Sequence, residues 1–507
     1  MGSLPSPHDL STTFNPMDLT ELSTESRLVT DFITQYYQTL ETRPVQPLVK
    51  PGFLTSQLPE DAPFYGESME EILSDVNEKI VPGLTHWQSP NFHAYFPASS
   101  SNAGLMGELL CSGLSVIGFT WSSSPAATEL ENVVVDWMAK MLNLPPCFQF
   151  SGGGGGVLHS NTCEAVLCTL AAARDKTMER VGDDKINKLV VYCSDQTHFT
   201  IHKGAKLIGI RPKNIKSLTT RRENEYGLCP NDLRNAIEAD MKAGLVPFYL
   251  CGTIGTTALG AVDPIKELGK VVREYDLWFH VDGAYAGSAC ICPEFQHYLD
   301  GIELADSISM NAHKWLLSNL DCCFMWLRSP KTLIQSLAAE GTFLKGGSEM
   351  MVDYKDWQIS LSRRFRAIKM WVVIRRYGVS NLIEHIRSDV SMAARFEEMV
   401  RAASDRFEIV FPRKFSLVCF KLRSNKKMVN GRKFNDDEYE GVKPSRDSEL
   451  TRELMEKVNS SGKAYLSGVQ MGRIFFIRCV IGSSLTEERH VDNLWKIIQE
   501  TARSIMP

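Results

Sequence analysis

Five short apolar runs, spaced between helical patterns, constrain this chain more than any other feature of its 507 residues. Between Phe96 and Gly378, the segments KLVVYCS, VPFYLCGT, LWFHVDG, DSISM and CCFMWLR are rich in β-branched and aromatic residues and too short for stable helices. Continuous apolar runs of this length read as strands buried on both faces. They alternate with SNTCEAVLCTLAAARDK and PIKELGKVVREY, which have helical spacing. The alternation predicts an α/β fold: a mostly parallel central sheet covered by helices.

The flanks differ in texture. Residues 1–95 read as an N-terminal helical arm: LTELSTESRLVTDFITQYYQTL is amphipathic, and prolines punctuate LETRPVQPLVKPGF. Residues 96–378 read as a large domain, and residues 379–507 read as a small C-terminal α+β domain. In that last part LIEHIRSDVSMAARFEEMVRAA and LTEERHVDNLWKIIQETARSI are helical, while FEIVFP, FSLVCFKL and RIFFIRCVIG are strands. RSNKKMVNGRKFNDDEYEGVKPSRDSE has mixed charge and few apolar residues, so it is expected to be a disordered surface loop. The formal charge of −5 gives no global basic field for nucleic acid or an anionic membrane. Thirteen cysteines without a CxxC pair favour a reducing, cytoplasmic setting over a disulfide or zinc framework. The start MGSLPSPHDL has no apolar core of a signal peptide, although Gly2 and Ser6 match the short myristoylation pattern. Gly104 to Trp121 contains Glu108 and many small residues and reads as a buried helix and loop, not a membrane span.

The chemistry-bearing residues follow the strand candidates. In SISMNAHKWLLSNLDCC, Asn311, His313 and Lys314 arrive together at a strand end. A lysine held there against apolar walls loses hydration and becomes a neutral, nucleophilic amine more easily. An isolated His-Lys pair would be a surface loop, but upstream LWFHVDGAYAG places Asp282 directly after another strand. A carboxylate there can keep a pyridine nitrogen protonated; alone it would be a turn or cap residue. FSGGGGGVLHSNTCEAVL sets a glycine run before Asn161, Thr162 and Cys163 at a helix start, a candidate phosphate site or a plain flexible turn. The nucleotide patterns GxxxxGK[ST] and GxGxxG with an acidic partner are absent. His198 in SDQTHF, placed to stack on a flat ring, and Thr256 and Thr257 in GTIGTTALG complete the set. A phosphate site, a ring face, a ring-nitrogen partner and an amine for an aldehyde together fit pyridoxal 5'-phosphate.

These stretches, with HWQSPNFHAYFPA, SSPAATELE, HVDGAYAGSACICPEF, DYKDWQISLSRRFR and GSSLTEERHV, resemble the plant aromatic amino acid decarboxylases, group II, fold-type I pyridoxal phosphate enzymes, over nearly the whole chain. The resemblance implies that Lys314 carries the cofactor, His198 stacks on its ring and Asp282 pairs with its ring nitrogen. It implies that Thr162, Cys163, Thr257, Asn311 and His313 help to hold it. It also implies a homodimer, and a pocket for an aromatic L-amino acid built from Trp87, Phe92, Phe96, Pro97, Ile117 and Phe119. Ser362 matches a family position that is serine in phenol-selective members and glycine in indole-selective ones, which favours tyrosine, with phenylalanine open. Gly283 departs from the family's usual alanine.

AEGTFLKGGSEM, from Ala339 to Met350, is a Gly-rich charged stretch around one large apolar residue, Phe343. Decarboxylases of the family carry a catalytic tyrosine there, in a stretch like YLKNK, whose hydroxyl protonates the substrate carbon after CO2 leaves. Phe343 has no proton to give. Tyr354 in VDYKDWQ matches a separate family segment. The resemblance is therefore to the aromatic aldehyde synthase branch, in which O2 is consumed and the products are an arylacetaldehyde, CO2, ammonia and hydrogen peroxide. A conventional tyrosine decarboxylase making tyramine and a non-catalytic homologue are the alternatives.

Overall fold

The computed structural model describes residues 15–338, 351–424 and 445–506. Its centre is a seven-stranded sheet in the order β1-β7-β6-β5-β4-β2-β3. The strands are β1 Gly155–His159, β2 Leu189–Ser194, β3 Ile215–Leu218, β4 Val246–Thr253, β5 Trp278–Asp282, β6 Ser307–Asn311 and β7 Cys323–Leu327. Only β7 runs against its neighbours; the others are parallel. All five apolar runs are therefore strands. Along β2, Val190 and Tyr192 enter one hydrophobic core while Leu189, Val191 and Cys193 enter the other. The Pro125–Met141 helix contributes Val134, Val135 and Met138 to the first core, and the Thr162–Val181 helix contributes Ala165, Val166 and Leu170 to the second. Two buried faces explain why the strands read as continuous rather than alternating apolar runs.

The glycine run is packed closely against neighbouring backbone at the start of β1. Its last two residues open β1, and a Cβ on Gly154 would lie 1.9 Å from the Cys147 carbonyl oxygen. At Gly156 it would lie 2.6 Å from the carbonyl oxygen of Met325 on β7. These glycines permit close backbone packing.

The Leu19–Thr39 helix lies in the stretch read as an N-terminal arm, and none of its residues is buried within the chain. At the other end, β8 Phe407–Lys414, β9 Leu417–Leu422, β10 Ser467–Met471 and β11 Ile474–Val480 make an antiparallel sheet in the order β10-β11-β9-β8. Gly378, where the sequence texture changes, interrupts the Arg366–Ala402 helix with φ 72° and ψ 164°. The stretch containing Phe343 and most of the 423–449 loop lie outside the described residues. Among those described, no helix is long and apolar enough to cross a membrane.

One buried ion pair ties the sheet to its surroundings. Arg363 and Glu131 side chains are each 3% exposed and meet at 2.6 Å. Glu131 Oε1 also accepts the Leu158 N–H of β1 at 2.8 Å. The guanidinium donates to Gln358 Oε1 and Gly118 O, and lies over the Tyr354 ring at 4.4 Å. Removing one partner strands a charge in the interior. Glu131→Ala is expected to lower stability by about 3–5 kcal/mol, read as a loss in urea unfolding free energy; Glu131→Leu with Arg363→Met should recover part of it.

Candidate functional site

The C-terminal ends of β1, β2, β4, β5 and β6 open on one edge of the sheet, and a cavity lies against them. Ligand sites of open α/β sheets occupy this edge. Lys314 follows β6 in the short Ala312–Trp315 helix. Its turn is strapped down: the Ser99 N–H donates to His313 O, Ser99 Oγ to Lys314 O and Ser101 Oγ to Leu317 O, each at 2.7 Å. Burial pushes the Lys314 pKa down, and the Asp282 carboxylate opposes part of that shift. The amine is thereby prepared to act as a nucleophile.

Strand register sets the rest. Thr253 pairs with Asp282 across β4 and β5, and Asp282 with Ser309 across β5 and β6. Asp282 is buried, and its Oδ1 accepts the Ala284 N–H at 2.9 Å. His198 Nδ1 accepts the Thr200 N–H at 3.3 Å, which leaves Nε2 as the protonated nitrogen of the neutral ring. Burial lowers the His198 pKa, Asp282 raises it and Lys314 lowers it. Thr162 Oγ1 donates to Asn311 Oδ1 at 2.9 Å, joining the helix start after β1 to the end of β6.

Thr162, Cys163, His198, Thr257, Asp282, Asn311 and Lys314 all line this cavity. His313 is placed behind it, with Nδ1 at 2.9 Å from the N–H and 3.0 Å from the carbonyl of Cys322. Thr256 Oγ1 accepts the Ala261 N–H and closes its own turn. Of the aromatic-pocket residues, Phe96 lines the cavity, its ring centroid 5.5 Å from Lys314 Nζ. Trp87 and Phe92 pack with Tyr95 and Tyr465 elsewhere, and Pro97 sits against Gly482. Ile117 and Ser362 line a separate cavity beside Cys111 and Phe365, while Phe119 accepts the Lys355 N–H. Tyr354 is fully buried and donates to Asn132 Oδ1 at 2.6 Å, away from the cavity. At Gly283 an added Cβ would meet Gly287 Cα and Ser309 O at 3.2 Å, so alanine would fit only with a small shift. Phe343 lies outside the described residues.

Sequence reading missed Thr253, Thr200 and Tyr285, which also line the cavity. Thr253 was legible as the last residue of VPFYLCGT, the position that carries function in the neighbouring strands. Its Oγ1 is buried and has no hydrogen-bond partner. That orphan hydroxyl, the amine of Lys314, the carboxylate of Asp282 and the open N–H groups of a helix start form a donor set that fits pyridoxal phosphate.

Comparison with known proteins agrees with this chemistry. The family model described as the pyridoxal-dependent decarboxylase conserved domain matches residues 51–423. A 4-hydroxyphenylacetaldehyde synthase of Rhodiola rosea is 84% identical over 506 residues, covering 100% of both chains. Tyrosine decarboxylase 4 of Petroselinum crispum is 52% identical over 97% of this chain and 95% of its own. The crystal structure of the Rhodiola rosea synthase superposes with a TM-score of 0.91 at 83% identity, covering 97% of this chain and 100% of that one.

Burial sets a pH dependence. His93, His280 and His313 are each depressed by burial from 6.5 to about 4, so they are neutral when folded and take up protons on unfolding between those values. Asp263, raised by burial from 3.8 to about 6, acts oppositely over nearly the same window. The histidines outnumber it. Stability should therefore fall on acidification from pH 6.5 towards 4, by about 1.4 kcal/mol per pH unit for each net proton. Urea unfolding at pH 7, 6 and 5 checks this; a midpoint that is flat or rises on acidification contradicts the neutral-histidine assignment.

Proposed function

This chain belongs to the pyridoxal-dependent decarboxylase family, and on that premise we propose that it is an aromatic aldehyde synthase. The reaction takes L-tyrosine, O2 and water to 4-hydroxyphenylacetaldehyde, CO2, ammonia and hydrogen peroxide. The observation that carries the reading is one cavity joining Lys314, Asp282 and His198, in a chain with phenylalanine at position 343. When bound, pyridoxal phosphate supplies an electron sink conjugated to the substrate nitrogen, which lets the bond to the carboxylate break.

The chain's own residues divide the remaining work. Lys314 would hold the cofactor covalently through its readily deprotonated amine, and Asp282 would hold the ring nitrogen protonated. His198 would cover the ring face with its proton on Nε2. Thr162, Cys163, Thr257 and Asn311 would anchor the remaining edge, with His313 supporting the lysine turn from behind. At position 343 a phenyl ring delivers no proton to the substrate carbon, and Tyr354 is committed to Asn132. With no proton donor at that position, the overall reaction would consume O2 and water and release hydrogen peroxide and ammonia. A conventional decarboxylase making tyramine is the second reading, favoured by the 52% identity to a tyrosine decarboxylase.

Two copies complete the aromatic site in this reading. Ile117 and Ser362 share a cavity separate from the one that Lys314 lines, and Leu110, Leu114 and Leu361 nearby in sequence are exposed. A homodimer that covers this apolar surface brings the two half-sites together.

Incubation with tyrosine in air should give aldehyde and peroxide in equal amounts, with little tyramine; tyramine without peroxide refutes the proposal. Phe343→Tyr restores a hydroxyl and should shift product from aldehyde to tyramine; an unchanged ratio of peroxide to tyramine means that position 343 is not the switch. Ser362→Gly removes a hydroxyl beside the phenol and should relax discrimination against tryptophan by roughly 1–3 kcal/mol, read from the ratio of kcat/KM for the two amino acids.

A further inference from the structure

Arg478 on β11 is 2% exposed and forms no ion pair with any described residue. It differs in this from Arg363, equally buried but neutralised by Glu131. Its Nε donates to Ala258 O at 3.2 Å, and its Nη1 donates to Tyr95 O at 3.3 Å and to Ser467 Oγ at 3.1 Å. Its Nη2 is buried without a partner. The guanidinium carbon lies 5.0 Å from the centroid of the Phe96 ring, which is stacked at 3.7 Å on Tyr285 and lines the cavity with Lys314. Burial pushes the Arg478 pKa down, as expected of an uncompensated cation.

Each contact joins a part of the site to the small sheet. Ala258 follows Thr257, a cavity residue. Tyr95 precedes Phe96, has φ 54°, and donates its N–H to the same Ser467 Oγ that Arg478 reaches. Ser467 lies directly opposite Arg478 in the β10–β11 ladder. An apolar side chain would fill this volume without the desolvation cost of a buried cation, but it could not satisfy two carbonyls from different loops. Lysine keeps the charge but not the planar fork that spreads donors in fixed directions.

We propose that Arg478 is a positioning residue for aromatic substrate recognition: its fork fixes Phe96 and the Thr257–Ala258 turn against the small sheet, and so holds the ring wall that the substrate's aromatic side chain meets. This rests on the reading that the cavity takes an aromatic amino acid.

The test uses holoenzyme with Arg478→Lys and Arg478→Met, and two ligands: tyrosine for turnover, and 3-(4-hydroxyphenyl)propanoate, which has no amine, for binding by calorimetry. For Arg478→Met, KM for tyrosine and Kd for the phenolic acid should both rise about fivefold or more, with kcat within about twofold and cofactor content unchanged. Arg478→Lys should lie between that variant and wild type. If Arg478→Met yields no folded holoenzyme, Arg478→Lys decides alone by the same split between KM and kcat. Wild-type KM and Kd in either folded variant, or a fall in kcat at constant KM, overturns the inference. A wild-type enzyme that binds the phenolic acid but releases no CO2 from tyrosine instead overturns the proposed reaction, and the binding comparison still tests Arg478.

Discussion

The register of β4, β5 and β6 is the constraint on which the site depends. Thr253, Asp282 and Ser309 stand in one row across three parallel strands, and Lys314 follows five residues after Ser309. Strand side chains alternate between faces, so a slip of one residue would turn Asp282 from the cavity into the opposite core. The register is held by apolar residues on both faces: Phe279 and Val281 in one core, Trp278 in the other. The packing that folds the sheet therefore also sets the distance between amine and carboxylate. Little freedom remains for the turns, since Ser99 and Ser101 tie the lysine turn to a segment more than two hundred residues earlier.

Much of this was legible because buried parallel strands leave strong local signals. LVVYCS, VPFYLCGT and WFHVD are largely apolar, and the polar residues at and after their ends stand out by contrast. The sequence was less informative where tertiary contacts decide conformation. GGVLH starts with residues of poor strand propensity, yet Gly154 and Gly156 are needed because the Cys147 and Met325 carbonyls lie where a Cβ would be. IKSL of β3 is only four residues at the sheet edge, and half-exposed edge strands lack the continuous apolar pattern. The Pro125–Met141 helix carries the buried Glu131, whose partner lies 232 residues away and cannot be found from spacing.

The aromatic pocket shows a different limit. An aromatic residue is equally at home in a core and in a binding wall, so Trp87, Phe92 and Phe96 look alike in sequence. In the fold they separate: Phe96 faces Lys314, while Trp87 and Phe92 cluster with Tyr95 and Tyr465. What distinguishes Phe96 is a long-range contact, the Arg478 guanidinium from a strand near the other end of the chain.

The two buried arginines show how one physical cost serves two purposes. Arg363 meets a carboxylate, and its pair knits the Pro125–Met141 helix, β1 and the segment before the long helix into one body. Nothing in that arrangement reaches the cavity. Arg478 meets carbonyls and a ring face instead, and keeps one donor unused. A neutral contact set leaves more of the desolvation cost uncompensated than an ion pair does. Such a residue is hard to account for by stability alone, because a methionine of similar length would pack without that cost. Its contacts converge on the residues next to Phe96 and Thr257, the places where the small sheet meets the cavity. The C-terminal unit is in this sense part of the site, although none of its strands supplies a cavity-lining residue.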